Sequence, residues 1–156
     1  MASNIADCPA LDTEVVPGSV VVTERKGKLA RCIYTAGHSL HADEPASLGG
    51  GDEGPNPYEL LLAALGACTS ITVRMYAARK GLPLEDIRVE LSHSRIHARD
   101  CEECETKEGF VDRIDKRITL KGDLTDAEKA RLLEIADRCP VQRTLTNEII
   151  VRSALA

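Results

Sequence analysis

The strongest constraint on this chain is the stretch from Pro57 to Lys80, which carries the run LLLAALGAC and no proline after its first residue. Proline opens it, Glu59 sits near the positive amino end of a helix, and Arg74, Arg79 and Lys80 gather toward the negative carboxyl end. Gly81 then stops it. The run is apolar on nearly all sides, so it predicts a central helix enclosed by protein rather than one with a single greasy stripe. Ala63, Ala64, Gly66 and Ala67 let neighbouring backbone come close. The uncharged stretch 60–73 spans about 21 Å as a helix, short of the roughly 30 Å hydrocarbon layer, and reads as a buried helix, with no membrane partner expected. Aromatic residues make up only 3% of the 156, which limits what one chain can lay over such a helix; dimerisation is expected on that ground.

The segments around the helix alternate with period two. Residues 19–43 read as a three-stranded meander broken at Gly27 and Gly37. The stretch EPASLGGGDEGPNP must be a loop. It lacks the Lys-Ser/Thr that ends a phosphate-binding loop, so its expected role is to border a site. Ile87, Val89 and Leu91 share one strand face with His93 and His97, and Phe110, Ile114, Ile118 and Leu120 share another, predicting a hairpin. Thr125 and Glu128 form a capping box for a helix running to about Arg138; Cys139-Pro140 then opens a short helical turn, and EIIVRSAL reads as a final strand. The expected organisation is an N-terminal tail over residues 1–18 and a single domain over 19–156.

The formal charge of -5 argues against a nucleic-acid footprint, and no polybasic run suggests an anionic membrane surface. The amino terminus shows no basic segment leading into an apolar core, so a cytoplasmic address is expected. In that reducing compartment six cysteines read as catalytic, metal-binding or buried rather than as structural bridges.

Three candidate groups carry chemistry. Cys68 lies within the central helix, where an inert buried thiol is the plain alternative. Cys139 precedes a proline that starts a new turn, whose exposed amides favour a thiolate, while the carboxyl end of the preceding helix opposes that effect. His93, His97, Cys101 and Cys104 have metal-ligand residue types; His97, Cys101 and Cys104 are the feasible zinc set, since His93 lies about 13 Å from His97 along an extended strand. A polar hairpin tip or a Cys101–Cys104 disulfide accounts for the same residues. His38 and His41 point to opposite faces of their strand and share no metal, and Cys8 and Cys32 read as tail and core residues without partners.

The segments GPNPYELLLAALGACTS and RCPVQRTL resemble the OsmC/Ohr family of thiol peroxidases: Asn-Pro before the central helix, a cysteine eleven residues after that proline, and a second cysteine in Cys-Pro-Val. The element order agrees from about Ser19 to Leu155. The resemblance implies an α+β fold in which antiparallel sheets wrap a central cysteine-bearing helix, built as an intertwined homodimer. It also implies that Cys68 attacks a peroxide and Cys139 resolves the product, that no cofactor is bound, and that an external dithiol of the lipoyl type regenerates the pair. In the family a glutamate directly after Asn-Pro pairs with an arginine beside the thiolate. Here Tyr58 takes that place and Glu59 follows it, while Arg25 in TERKG resembles the arginine, with Arg31 as its rival. Arg143 could present charge to Cys139. Two other functions stay open: a non-catalytic member of the fold that binds a small hydrophobic or electrophilic molecule, favoured by Tyr58, and a zinc-stabilised module.

Overall fold

The structure is a computed structural model that describes residues 8–25, 28–101, 105–106 and 108–155. It divides into two compact units, residues 1–61 and 62–156.

In the first unit, strands β1 (Val21–Glu24), β2 (Arg31–Thr35) and β3 (His38–Ala42) form an antiparallel meander in that order. β2 and β3 turn on Ala36 and Gly37, the latter at φ 84°, a conformation that favours glycine. That two-residue turn fixes the register, which places Cys32 opposite His41. Residues before β1 fold back on β2: Cys8 and Leu11 pack against Val15, Cys32 and Tyr34, and the Tyr34 hydroxyl donates to the Pro9 carbonyl at 2.6 Å. Cys8 and Cys32, read from the sequence as unpartnered, form a disulfide that holds this segment to the sheet.

The glycine-rich loop after β3 is organised by Asp43, whose carboxylate accepts N–H bonds from Glu44 (2.8 Å), Gly51 (2.8 Å) and Glu53 (3.2 Å). A Cβ at Gly50 would lie 1.7 Å from the Glu44 carbonyl oxygen, so only glycine fits there. Burial opposes the Asp43 charge, but the three amides and the Arg31 guanidinium outweigh it and hold its pKa below the ordinary carboxylate value. A group depressed in this way contributes stability above its unfolded pKa, and that contribution disappears as pH falls through the folded value. The Asp43 contribution to the first unit is therefore expected to be fully present from neutrality down to about pH 4 and to be lost below it. Asp43→Asn should lower the midpoint at pH 7 and remove part of the acid dependence, as followed by thermal denaturation across pH. An unchanged acid limb in the variant would refute this role.

Helix α1 (Pro57–Lys80) crosses from the first unit into the second. Its carboxyl end closes on Gly81 at φ 65°, where the Leu82 N–H reaches the Ala77 carbonyl at 3.0 Å. The second unit continues with β4 (Leu84–His97), β5 (Phe110–Gly122), α2 (Asp126–Ala136) and α3 (Pro140–Leu145). β4 and β5 form a long antiparallel hairpin. Val73 and Ala77 of α1 and Leu132, Ile135 and Ala136 of α2 join Leu84 and Leu124 in one cluster, against which Ile87, Ile118 and Leu120 pack. The Thr125–Glu128 capping box opens α2 as the sequence indicates. At Gly66 an added Cβ would sit 2.8 Å from Leu91 Cδ1, so the small residue serves close packing of α1 on β4.

Four expectations are corrected. Only Leu65, Thr69, Val73 and Ala77 of α1 are buried, a single i, i+4 stripe, while Ile71 and Met75 are 58% and 67% exposed; one chain does not enclose this helix. At 24 residues it is also long and apolar enough by length and composition to cross a membrane, which the uncharged stretch 60–73 alone did not suggest; the core helix of a soluble protein passes the same test. Phe110 faces solvent and stacks on His97, with ring centroids 4.1 Å apart, because the cluster covers the opposite end of the hairpin. The final strand is not formed: residues 148–155 have no strand partner among the described residues, and Ile150 and Val151 are 74% and 84% exposed.

Candidate functional site: a thiol pair on α1 and α3

Among the described residues Cys68 and Cys139 are the free cysteines. Cys68 lies mid-helix on α1 and is partly exposed. Thr69, the next residue, belongs to the buried stripe and points its hydroxyl at the Cys139 sulfur, 3.5 Å away. Cys139 is wholly buried and is the N-cap of α3; its sulfur accepts the Gln142 N–H at 3.4 Å, with Pro140 at the first helical position. The fold thus brings the second cysteine against α1 at the residue adjoining the first, although 70 positions separate Thr69 from Cys139.

Lys116 holds the α2–α3 corner in place. Its ammonium, on β5, donates to the Ala136 carbonyl at 3.2 Å, to Asp137 at 3.1 Å and to the Gln142 side chain at 2.6 Å. A cation at the end of α2 satisfies carbonyls that lack helical partners, and it anchors the residue whose amide meets the Cys139 sulfur. Sequence reasoning did not single out Thr69, Lys116 and Gln142, although Thr69 and Gln142 lie within the two segments that carry the family resemblance. Only the strand-face position of Lys116, inward among Ile114, Ile118 and Leu120, hinted at a role.

The other candidates lie as follows. Glu59 completes a capping box with Asn56: its carboxylate accepts the Asn56 N–H at 2.8 Å, and its own N–H donates to Asn56 Oδ1 at 2.9 Å. α1 is regular from Pro57 onward, so the nine positions from Glu59 to Cys68, about 2.5 turns, put the two on opposite sides of the helix. In the first unit Arg25 forms an ion pair with Glu53, a carboxylate of the glycine-rich loop that sequence reasoning did not single out. Arg31 donates to the carbonyls of Lys28 and Ala30. Arg143 lies in the last turn of α3. In the zinc set read from the sequence, His97 stacks on Phe110, Cys101 is disulfide-bonded, and Cys104 lies outside the described residues. His93 meets Asp112 at 2.9 Å.

Antiparallel sheets, a long cysteine-bearing helix and a second buried cysteine at the cap of a later turn define a class of small α+β proteins with paired thiols. The chain belongs to the OsmC-like protein family, whose profile matches residues 49–153. No protein of curated function matches it in sequence. Solved structures agree in fold. An OsmC-like protein from Mycoplasma pneumoniae is 18% identical with a TM-score of 0.65, over 86% of this chain and 89% of that one. An organic hydroperoxide resistance protein from Legionella pneumophila is 21% identical with a TM-score of 0.59, over 82% and 89%. One from Elizabethkingia anophelis is 18% identical with a TM-score of 0.61, over 87% and 91%.

Proposed function

We propose that the chain is a thiol-dependent peroxidase acting on organic hydroperoxides, with Cys68 as the attacking thiolate and Cys139 as the resolving thiol. The observation that supports this reading is the Thr69–Cys139 contact, which brings the buried thiol to α1 one residue along the chain from the partly exposed Cys68. Exposure divides the roles: a peroxide must reach the attacking sulfur, and a resolving sulfur is best kept from solvent until needed. The Cys68 thiolate displaces alkoxide from the peroxide oxygen, which leaves as alcohol after taking a proton, and Cys68 becomes a sulfenic acid. Cys139 condenses with it, releasing water and forming a disulfide. A dithiol, with a lipoyl group as the proposed type, then exchanges with that disulfide and leaves both cysteines reduced. Within the first unit Arg25 is paired with Glu53, and Glu59 serves the helix cap. The names of the Legionella and Elizabethkingia proteins support the substrate class.

The exposed apolar face of α1 and the unpaired, β-branched segment at 148–151 support a homodimer, in which a second copy covers what one chain leaves open. A cytoplasmic address belongs to the same reading, since the cycle needs a supply of dithiol. The test mixes reduced protein with an organic hydroperoxide and a dithiol. Wild type should turn over and sediment at twice the chain mass, and Cys139→Ser, mixed with peroxide in the absence of dithiol, should consume about one equivalent at Cys68 without forming an intramolecular disulfide there. Sustained turnover by Cys139→Ser at the wild-type rate would remove the resolving role.

A second reading is favoured by a groove of about 320 Å³ between α1 and β4, walled by Ala63, Gly66, Ala67, Ile87 and Val89. A non-catalytic member of the family would bind a small hydrophobic molecule there. Absence of peroxide consumption by fully reduced protein would select it.

A further inference from the structure

Among the described residues, metal-ligating groups also gather outside the thiol pair, in the first unit. The β2–β3 register sets Cys32 directly across from His41, and the returning amino-terminal segment brings Cys8 to the same place. The sulfurs of Cys8 and Cys32 and a ring nitrogen of His41 all lie within 4.8 Å of one another. The disulfide alone accounts for the cysteines, since it fastens the segment to the sheet, but it leaves His41 unexplained. His41 is only 6% exposed, and neither of its ring nitrogens has a hydrogen-bond partner among the described residues. Buried polar groups are nearly always satisfied, and an imidazole facing two sulfurs has an evident means of satisfaction in a metal ion. All three residues precede the segment that matches the family profile.

We propose that reduction of the Cys8–Cys32 disulfide creates a zinc site with Cys8, Cys32 and His41 as ligands and a fourth position open to water. The donor set selects the metal: two thiolates and an imidazole suit zinc, whereas calcium and magnesium take oxygen ligands. The nearby carboxylate of Asp43 is committed to backbone amides. Tetrahedral zinc–sulfur bonds of about 2.3 Å put two sulfurs about 3.8 Å apart, a separation the present cluster reaches with a small movement of the Cys8 side once the bond opens. The electrons come from an external dithiol: it is oxidised to its own disulfide, Cys8 and Cys32 become thiols, and their two protons pass to solvent as the dication binds. In the compartment proposed above the reduced form is the prevailing one. Zinc would then hold the amino-terminal segment to β2 as the disulfide does under oxidation, and oxidation would release the metal.

The test uses the full chain, stripped with chelator, reduced and freed of reductant without air, and titrated with cobalt(II) as a spectroscopic stand-in and then with zinc. The expected result is one equivalent bound, with a thiolate-to-cobalt charge-transfer band and the visible bands of tetrahedral cobalt, both lost on zinc addition. Cys8→Ser and His41→Gln should each weaken binding by more than the roughly tenfold to hundredfold that loss of an outer partner costs. Cys101→Ser should leave these bands unchanged, and so should Cys68→Ser, which separates this site from the peroxidase reading. Cobalt bands that survive Cys8→Ser, binding of equal strength by protein whose Cys8–Cys32 disulfide is intact, or no binding by the reduced chain would each overturn the proposal. Because Cys8 is only partly buried at the start of the described chain, its variant keeps the test decisive if His41→Gln fails to fold.

Discussion

Cys68→Ser is expected to bring hydroperoxide turnover down to the uncatalysed background, a loss of about three orders of magnitude or more, while leaving the fold intact. The size of the effect follows from the chemistry: a serine hydroxyl in place of the attacking thiolate removes the first step, on which condensation and exchange depend, and loss of a nucleophile is among the largest single effects known for enzymes. The fold should tolerate the change, because Cys68 is partly exposed and its sulfur is not part of the buried stripe formed by Leu65, Thr69, Val73 and Ala77. Thermal midpoint and sedimentation should match wild type, and peroxide consumption in the presence of dithiol should vanish. Unaltered turnover in a correctly folded Cys68→Ser protein would discard the mechanism. Cys139→Ser gives a separate readout, since it leaves the attacking sulfur in place and removes only the condensation that protects it.

Gly122→Ala is expected to cost the second unit roughly 3 kcal/mol or more, through backbone strain and overlap together. Gly122 ends β5 at φ 135°, where L side chains are rarely found, and an added Cβ would lie 1.9 Å from the Pro83 carbonyl oxygen and 3.1 Å from the Glu85 nitrogen. Both obstacles are backbone, at the start of β4 opposite Gly122 itself, so no side-chain rotation relieves them. A drop in midpoint of about 6–12 °C follows for a chain of this size. The measurement is thermal unfolding followed by circular dichroism; a change smaller than about 1 kcal/mol would show that the β4–β5 junction yields more readily than its close contacts indicate.

Much of the architecture was legible because its causes are local. Pro57, Glu59 and the basic residues before Gly81 marked α1 at both ends, and Thr125 with Glu128 marked the start of α2; each is settled within one turn of helix. Strand alternation gave the meander and the hairpin for a similar reason. The same alternation misplaced Phe110, since parity says which face a residue occupies and not whether anything covers that face. It also announced a strand at 148–155, where β-branched residues favour extended chain but a strand needs another strand to pair with. The helix marked as fully enclosed shows one buried stripe, because composition records how apolar a surface is and not which molecule covers it.

The candidate sites divide along the same line. The sequence by itself determined the elements of this protein up to the end of α3, the family they belong to and the two cysteines most worth testing, because caps, turns and periodicity act between residues a few positions apart. Only tertiary structure decided that Thr69 meets Cys139, that Lys116 holds the corner beside it, and that Cys8 returns to Cys32 next to a buried His41. Those contacts join residues far apart along the chain, and they exist because burying the apolar faces of α1, α2 and the sheets brings distant segments together. A short-range pattern carries no record of such encounters.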